Sequence, residues 1–314
     1  MTVTEESVRL ANWSGSIPVV LSLAPSSLSS PTMPPPIHVM MARQSYLHLG
    51  LKDAVKRLHK FAPAVLSIAA SFVRREPKPG EETEESETVA CASNMTQHKG
   101  EDQEYPVCWF EDEESQIALR WQCFAGVLWD MKRKPKSMPW KLRLHFTQYP
   151  SSQILPLESD PMTAVERAYK SSLKQALFLQ HGSAKIAMNL SKQSHEQIWD
   201  SILAANYKLY QQVNDELQGS SFKLLRLPVR LLIDSKPPIQ RPLKADDDIS
   251  LGALLVQWAP SMFQNSDDGS VKAITTEIQW TIQGLHIPFS EKLKDLWQSL
   301  CHPDHFLYVV ITSK

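Results

Sequence analysis

An α+β chain in which two small sheet modules flank a helical middle is what the sequence predicts, and three observations carry that reading. The segment "SIPVVLSL" at Ser16–Leu23 returns as "LPVRLLI" at Leu227–Ile233, each an apolar-Pro-Val opening that runs on as a strand. Each copy also closes on a helix, a short link, a proline and a last strand, "PWKLRLHF" from Pro139 and "PDHFLYVVI" from Pro303. Between the copies, residues 162–217 carry apolar residues at helical spacing instead of alternation.

In the first module the strand at 16–23 has Pro18 near its start, where a missing N–H costs least. A Pro/Ser-rich turn leads to a second apolar run, "IHVMMA". From Leu51 a helix is expected, with Val55, Leu58, Phe61 and Val65 at helical intervals and Pro63 as its interruption. Residues 74–104 turn polar and acidic, with too little apolar surface to offset the entropy of ordering, and read as a disordered insertion. Strands "PVCWFED" and "QIALRWQ", two turns of helix at "AGVLWDM" and the strand "WKLRLHF" complete the module. In that last strand Trp140, Leu142, Leu144 and Phe146 share one face.

The middle has Val165, Ala168, Tyr169, Leu173, Ala176 and Leu177 on one stripe and Ile198, Ile202, Leu203, Leu209 and Val213 on others, a small helical bundle. The second module reads strand "LPVRLLI", return strand "IQRPL", helix "SLGALLVQWAP", strand "AITTEIQWTIQG", helix "SEKLKDLWQSL" and final strand "HFLYVVI". A hairpin, a helix, two short strands, a short helix and a closing strand fit a ubiquitin-like β-grasp, in which a sheet wraps one helix, better than a ferredoxin-like sandwich. The expected domains are 1–150, 158–219 and 220–314. A chain ending in "VVITSK" lacks the flexible glycine tail of a modifier, so the fold is expected to serve binding.

Composition narrows the function. A net charge of −1 gives no global basic field for nucleic acid. The longest apolar stretch, Ala62–Val73, is too short to span a bilayer, and the N-terminus does not read as a secretion signal. Cys91, Cys108, Cys123 and Cys301 are scattered, with no Cys-x-x-Cys pair, so reduced thiols in the cytoplasm and no metal or other cofactor are expected. Neither a Gly-x-Ser-x-Gly elbow nor a Gly-rich phosphate loop is present. The basic run "KRKPK" at 132–136 reads as a solvated loop, with anionic lipid as its second reading.

Two places could carry chemistry. "LCHPDHF" sets Cys301 beside His302, Asp304 and His305, the residue types of a thiol hydrolase using Cys301 and His305. Adjacent residues in a tight turn point apart, however, and Pro303 makes the segment a link into the last strand. Lys170 and Lys174, four apart, share a helix face where each positive charge disfavours the other. By spacing alone, Lys174 is an ordinary solvated helix lysine.

The order "SIPVVLSL", "SYLHL", "CWFEDEESQIALRWQCFAGVLWDM", "PWKLRLHF", "SSLKQALFLQHGSAKIAMNLSKQSHEQIWDSI", "LPVRLLI" and "PDHFLYVVI" resembles the autophagy protein 5 family over nearly the whole chain outside 74–104. The resemblance implies two ubiquitin-like domains around a helix-rich one. It also implies an acceptor lysine, falling on Lys174 of "SSLKQA", joined through an isopeptide bond to the C-terminal glycine of the ubiquitin-like modifier autophagy protein 12. Where the family commonly has an acidic residue after that lysine, this chain has Gln175. The implied partners are autophagy protein 16, a coiled-coil dimer whose helix lies in a groove, and indirectly an E2-like enzyme that transfers autophagy protein 8 to phosphatidylethanolamine. The expected protein is therefore a non-catalytic scaffold, cytoplasmic and peripheral on the pre-autophagosomal membrane, positioning others for ligase-like transfer.

Overall fold

The computed structural model describes residues 5–62, 105–132, 137–183, 185–218, 224–234 and 236–313. The expected insertion at 74–104, the interruption at Pro63 and most of the "KRKPK" run lie outside them. The first module contains α1 (Glu5–Ser14), β1 (Ser16–Leu23), β2 (Ile37–Ala42), α2 (Leu47–Gly50), α3 (Lys52–His59), β3 (Trp109–Asp112), β4 (Ile117–Ala118), α4 (Ala125–Met131) and β5 (Trp140–His145). Its sheet has the order β2-β1-β5-β3-β4. β1 runs antiparallel to β2 and parallel to β5, with Val19 opposite Trp140.

Period-two alternation decides which face of this sheet is inside. Ile17, Val19, Leu21 and Leu23 from β1 and Trp140, Leu142 and Leu144 from β5 are all buried, against Ala54, Val55 and Leu58 of α3. That is the expected β-grasp, with three differences. The strand expected over "QIALRWQ" shortens to Ile117–Ala118. α1 was not foreseen, because its ten residues are mostly polar; it is held by Arg9 Nε donating to Gln298 O at 2.5 Å and by Trp13 buried in the interior. The predicted helix from Leu51 is shorter, and Phe61 sits in the turn after it with 37% of its surface exposed.

The middle comprises α5 (Pro161–His181), α6 (Lys185–Asn189), α7 (Lys192–Leu203) and α8 (Tyr207–Gln218); the second module comprises β6 (Val229–Ile233), α9 (Leu251–Trp258), β7 (Phe263–Asn265), β8 (Val271–Ala273), β9 (Gln279–Thr281), α10 (Leu293–Leu300) and β10 (Leu307–Thr312). β10 runs parallel to β6 with Leu307 opposite Val229, the counterpart of the β1–β5 pair, and antiparallel to β9. The duplicated plan is real.

The return strand "IQRPL" is not a strand but a single bridge between Ile239 and Leu231. Pro237, Pro238 and Pro242 flank it, and a proline has no N–H to donate to a ladder. The long strand expected over 273–284 divides into β8 and β9, and β8 pairs with β7 across an Asp-Gly turn in which Gly269 adopts φ +79. In the bundle, Leu203 is exposed where its spacing predicted burial.

A third core joins the parts. Tyr46, Phe124 and Val127 from the first module, Val165, Tyr169, Leu173 and Leu177 from α5, and Leu232, Phe306, Tyr308 and Val310 from the second module form one buried cluster, which Trp13 of α1 completes. The modules share interior instead of hanging on linkers. A buried bond from Gln44 Nε2 to Gln283 Oε1 at 3.1 Å adds a polar tie between the two β-modules.

Candidate functional site

α5 carries Lys174, and each end of the helix is closed by local chemistry. Asp160 caps the start, accepting from Met162 N at 3.0 Å, with Pro161 in the first helical position where its missing N–H is harmless. Gly182 ends the helix at φ +70, and its N–H donates to Phe178 O at 2.8 Å. Leu173, Ala176 and Leu177 face the shared core, so the 3.6-residue repeat turns Lys174 out to solvent.

The two lysines four residues apart differ in company. Lys170 pairs with Glu166 at 2.5 Å, one turn back. Lys174 is exposed and has no ion pair or hydrogen bond among the described residues. One turn further on, Phe178 leaves 49% of its surface exposed.

Beneath Lys174 the helix is clasped to the second module. Ser172 Oγ donates to Asp304 Oδ2 at 2.6 Å, Tyr308 OH donates to the same oxygen at 2.7 Å, and Asp304 Oδ1 accepts from Phe306 N at 3.2 Å. Arg230 Nη1 donates to Ser172 Oγ at 2.8 Å and to Tyr308 OH at 2.9 Å, while its Nη2 donates to Gln175 Oε1 at 3.0 Å. The guanidinium carbon lies 3.6 Å from the centroid of the Phe306 ring. Burial pushes the Asp304 carboxyl above its ordinary range, against the pull of Arg230 and of the Ser172 and Tyr308 hydroxyls. Gln175, the departure from the family pattern, is thus a member of this clasp.

The thiol-hydrolase reading meets a different geometry. Cys301 is half-buried just past α10; His305 Nδ1 hydrogen-bonds to the Gln180 amide at 3.1 Å, and His302 Nδ1 to the Gln283 amide at 3.2 Å. Burial lowers both histidines to about 3, below the range in which an imidazole draws a proton from a thiol at neutral pH. Asp304, the third polar residue of that motif, belongs to the clasp under Lys174.

A cleft runs between the β-modules. One part, of about 580 Å³, is lined by Asp112, Ile117, Arg120, Lys132, Trp140 and Asp234. The next, of about 430 Å³, shares Arg120 and is lined by Cys123, Leu155, Arg230, Leu232 and Tyr308. Ile117 and Leu155 expose 47% and 57% of their surface there. Lys132 is committed to Asp112 at 2.9 Å and Glu114 at 2.7 Å with 8% of its side chain exposed, so it is not the solvated loop lysine expected from "KRKPK". Against the upward push of burial, bonds from Lys132, Ser115 and Trp140 hold Asp112 below the ordinary carboxylate range. Among the described residues no cluster of metal-ligating side chains occurs, and no helix is long and apolar enough to cross a membrane.

Sequence reasoning could single out Lys174 by resemblance. Arg230 and the cleft gave no local signal, since their partners are distant in sequence.

Comparison with known proteins gives three family matches in chain order. Residues 12–74 and 86–146 match the UblA domain of autophagy protein ATG5, residues 162–220 its alpha-helical bundle region, and residues 226–311 its UblB domain. Autophagy protein 5 of Debaryomyces hansenii is 25% identical over 230 residues, covering 66% of this chain and 75% of that protein. Autophagy protein 5 of Aspergillus oryzae is 23% identical, with 98% of this chain and 97% of that protein covered. The crystal structure of Kluyveromyces marxianus Atg5 superposes with a TM-score of 0.69 at 24% identity, covering 98% of this chain and 100% of that one, which shows the fold.

Proposed function

The chain belongs to the autophagy protein 5 family and so has a role in autophagy, and from that premise we propose that Lys174 is the acceptor of an isopeptide bond to the ubiquitin-like modifier autophagy protein 12. The observation that carries the proposal is the pairing difference on α5: Lys170 is neutralised by Glu166, whereas Lys174 stands exposed on a helix clasped from below.

The chemistry asks for a neutral amine on a positioned stem. Nζ, having given up a proton, attacks the carbonyl carbon of the modifier's C-terminal glycine held as a thioester; the C–N bond forms, the C–S bond breaks, sulfur leaves as thiolate, and the nitrogen's second proton passes to solvent to leave the amide. The receiving chain contributes position, and positioning alone can supply several kcal/mol. A clasp that keeps α5 from rocking against β10 serves that purpose, and exposed Phe178 offers apolar surface beside the new bond.

Autophagy protein 16 is the partner we assign to the cleft. Its exposed Ile117 and Leu155, with Arg120 between the two parts, suit an amphipathic helix that lays an apolar stripe inward and an acidic side chain on the arginine. The conjugate then acts as a scaffold, recruiting the E2-like enzyme through the modifier, at the cytoplasmic face of the pre-autophagosomal membrane, to promote transfer of autophagy protein 8 to phosphatidylethanolamine.

The test is co-expression with the modifier and its activating and conjugating enzymes, read as a mass shift for wild type, Lys174→Arg and Lys170→Arg. The shifted band should vanish only in Lys174→Arg. A band that persists there moves the acceptor elsewhere and ends the proposal.

A further inference from the structure

Three buried polar side chains from separate parts of the chain line one small cavity. Trp13 comes from α1, Gln44 from the turn after β2 and His305 from the turn before β10, and with Asn12, Tyr210 and Cys301 they wall a volume of about 30 Å³. Each keeps one atom, Trp13 Nε1, Gln44 Oε1 and His305 Nε2, that is out of reach of bulk water and has no hydrogen-bond partner among the described residues. The three residues expose only 7%, 4% and 1% of their surface. A buried polar atom left unpaired costs about as much as a lost hydrogen bond, so three at one cavity call for a shared partner.

The rest of each side chain is already committed. Gln44 Nε2 donates to Gln283 Oε1 at 3.1 Å, and Gln283 Nε2 donates to Leu300 O at 3.1 Å. Because a carbonyl only accepts, that chain fixes which way both amides point and leaves the Gln44 oxygen unused. His305 Nδ1 is engaged with the Gln180 amide, on a residue held at φ +65, where a side chain other than glycine is held only by its surroundings. The Trp13 ring packs against Tyr207 and Tyr210 with centroids 5.7 and 4.7 Å away.

We propose that this cavity is a binding site for a buried water molecule that bridges Trp13, Gln44 and His305. Size selects the ligand, since a water needs about 10–15 Å³ and no organic molecule fits. Charge selects it too: the indole N–H only donates and disfavours a cation, while the Gln44 oxygen only accepts and disfavours an anion. The water oxygen accepts from Trp13 Nε1, one O–H donates to Gln44 Oε1, and the other donates to His305 Nε2. His305 then carries its proton on Nδ1 and donates it to Gln180 Oε1 at 3.3 Å. The bridge ties α1 and both β-modules together and, through Gln180, reaches α5. It depends neither on the identity of the acceptor lysine nor on the occupant of the cleft.

The experiment is a crystal structure of the full chain at a resolution that shows ordered water, joined to NMR of the same chain labelled with nitrogen-15. Density should appear within hydrogen-bond distance of all three atoms. The Trp13 indole N–H, identified by its disappearance in Trp13→Phe, should show cross-relaxation with a long-lived water, and the His305 ring nitrogens should report a neutral imidazole protonated on Nδ1. Gln44→Met should weaken the indole–water cross-peak several-fold. A cavity without density, a direct bond from Trp13 Nε1 to a protein acceptor, or a His305 proton on Nε2 overturns the proposal. So does a Gln44→Met variant with an undiminished cross-peak; should that variant not fold, the wild-type density and tautomer decide.

Discussion

Ser172 donates a 2.6 Å hydrogen bond to the buried carboxylate of Asp304, tying the helix that bears Lys174 to the turn before the last strand. Only Leu173 separates this anchor from the acceptor. The same carboxylate also receives Tyr308, and Arg230 lies 3.8 Å from it. The clasp therefore sets where Lys174 stands relative to the second module.

Removing the cation from the clasp should be costly. Arg230→Met leaves the buried Asp304 carboxylate without its cation, and the expected loss is about 3–5 kcal/mol. Ser172→Ala removes one hydroxyl and should cost about 1–3 kcal/mol. Urea titrations of both variants check the order; equal losses would mean that Arg230 does not hold the carboxylate.

Lys174→Arg should leave stability within about 0.5 kcal/mol of wild type, since exposed positions tolerate such changes. A large drop in thermal midpoint would show that the lysine has a structural partner and would make any loss of conjugate ambiguous.

Gly182 closes α5 in the left-handed region, at φ +70, and an added Cβ would meet Leu225 Cδ1 at 3.1 Å. Gly182→Ala should destabilise by about 1–2 kcal/mol from the backbone term alone, measured by chemical denaturation. No change would require that the chain leave the helix by another route.

Acid should weaken the fold from a defined window. His48, His302 and His305 are buried and lowered by that burial to about 3, from an ordinary value of 6.5. They are neutral in the folded state and take protons only when unfolded, so stability present above 6.5 is lost as pH falls below it. Three such groups cost about 4 kcal/mol between pH 7.5 and 5.5. Replacing His305 with Gln should remove about a third of that three-histidine contribution, read from urea midpoints across the window.

The shared interior predicts cooperativity. Because Phe124, Leu173 and Phe306 belong to one buried cluster, urea unfolding followed by tryptophan fluorescence and by circular dichroism should give coincident single transitions. Separated transitions would mean that the modules hold independently.

Much of the architecture was legible, for a physical reason that particular residues show. Trp140, Leu142 and Leu144 alternate along β5, with Phe146 just past its end, and Leu293, Leu296, Trp297 and Leu300 recur at helical spacing along α10; all are buried as that periodicity requires. α1 was missed because its polar sequence carries no stripe; buried Trp13, with Arg9 and Asn12 donating to the carbonyls of Gln298 and Ser299, shows why it docks. The β7–β8 hairpin had a signal in "DDGS" that the reading of one long strand overrode.

The amino-acid sequence by itself determined the kinds of element, their order, the duplication of the sheet plan, and the side of α5 on which Lys174 lies, because each follows from local periodicity. Tertiary structure alone decided that Arg230 and Asp304 meet beneath Lys174, and that the two β-modules enclose a cleft. Side-chain rotamers and contacts between residues far apart in the chain leave no spacing in the sequence, so these relationships come into being only when the modules pack.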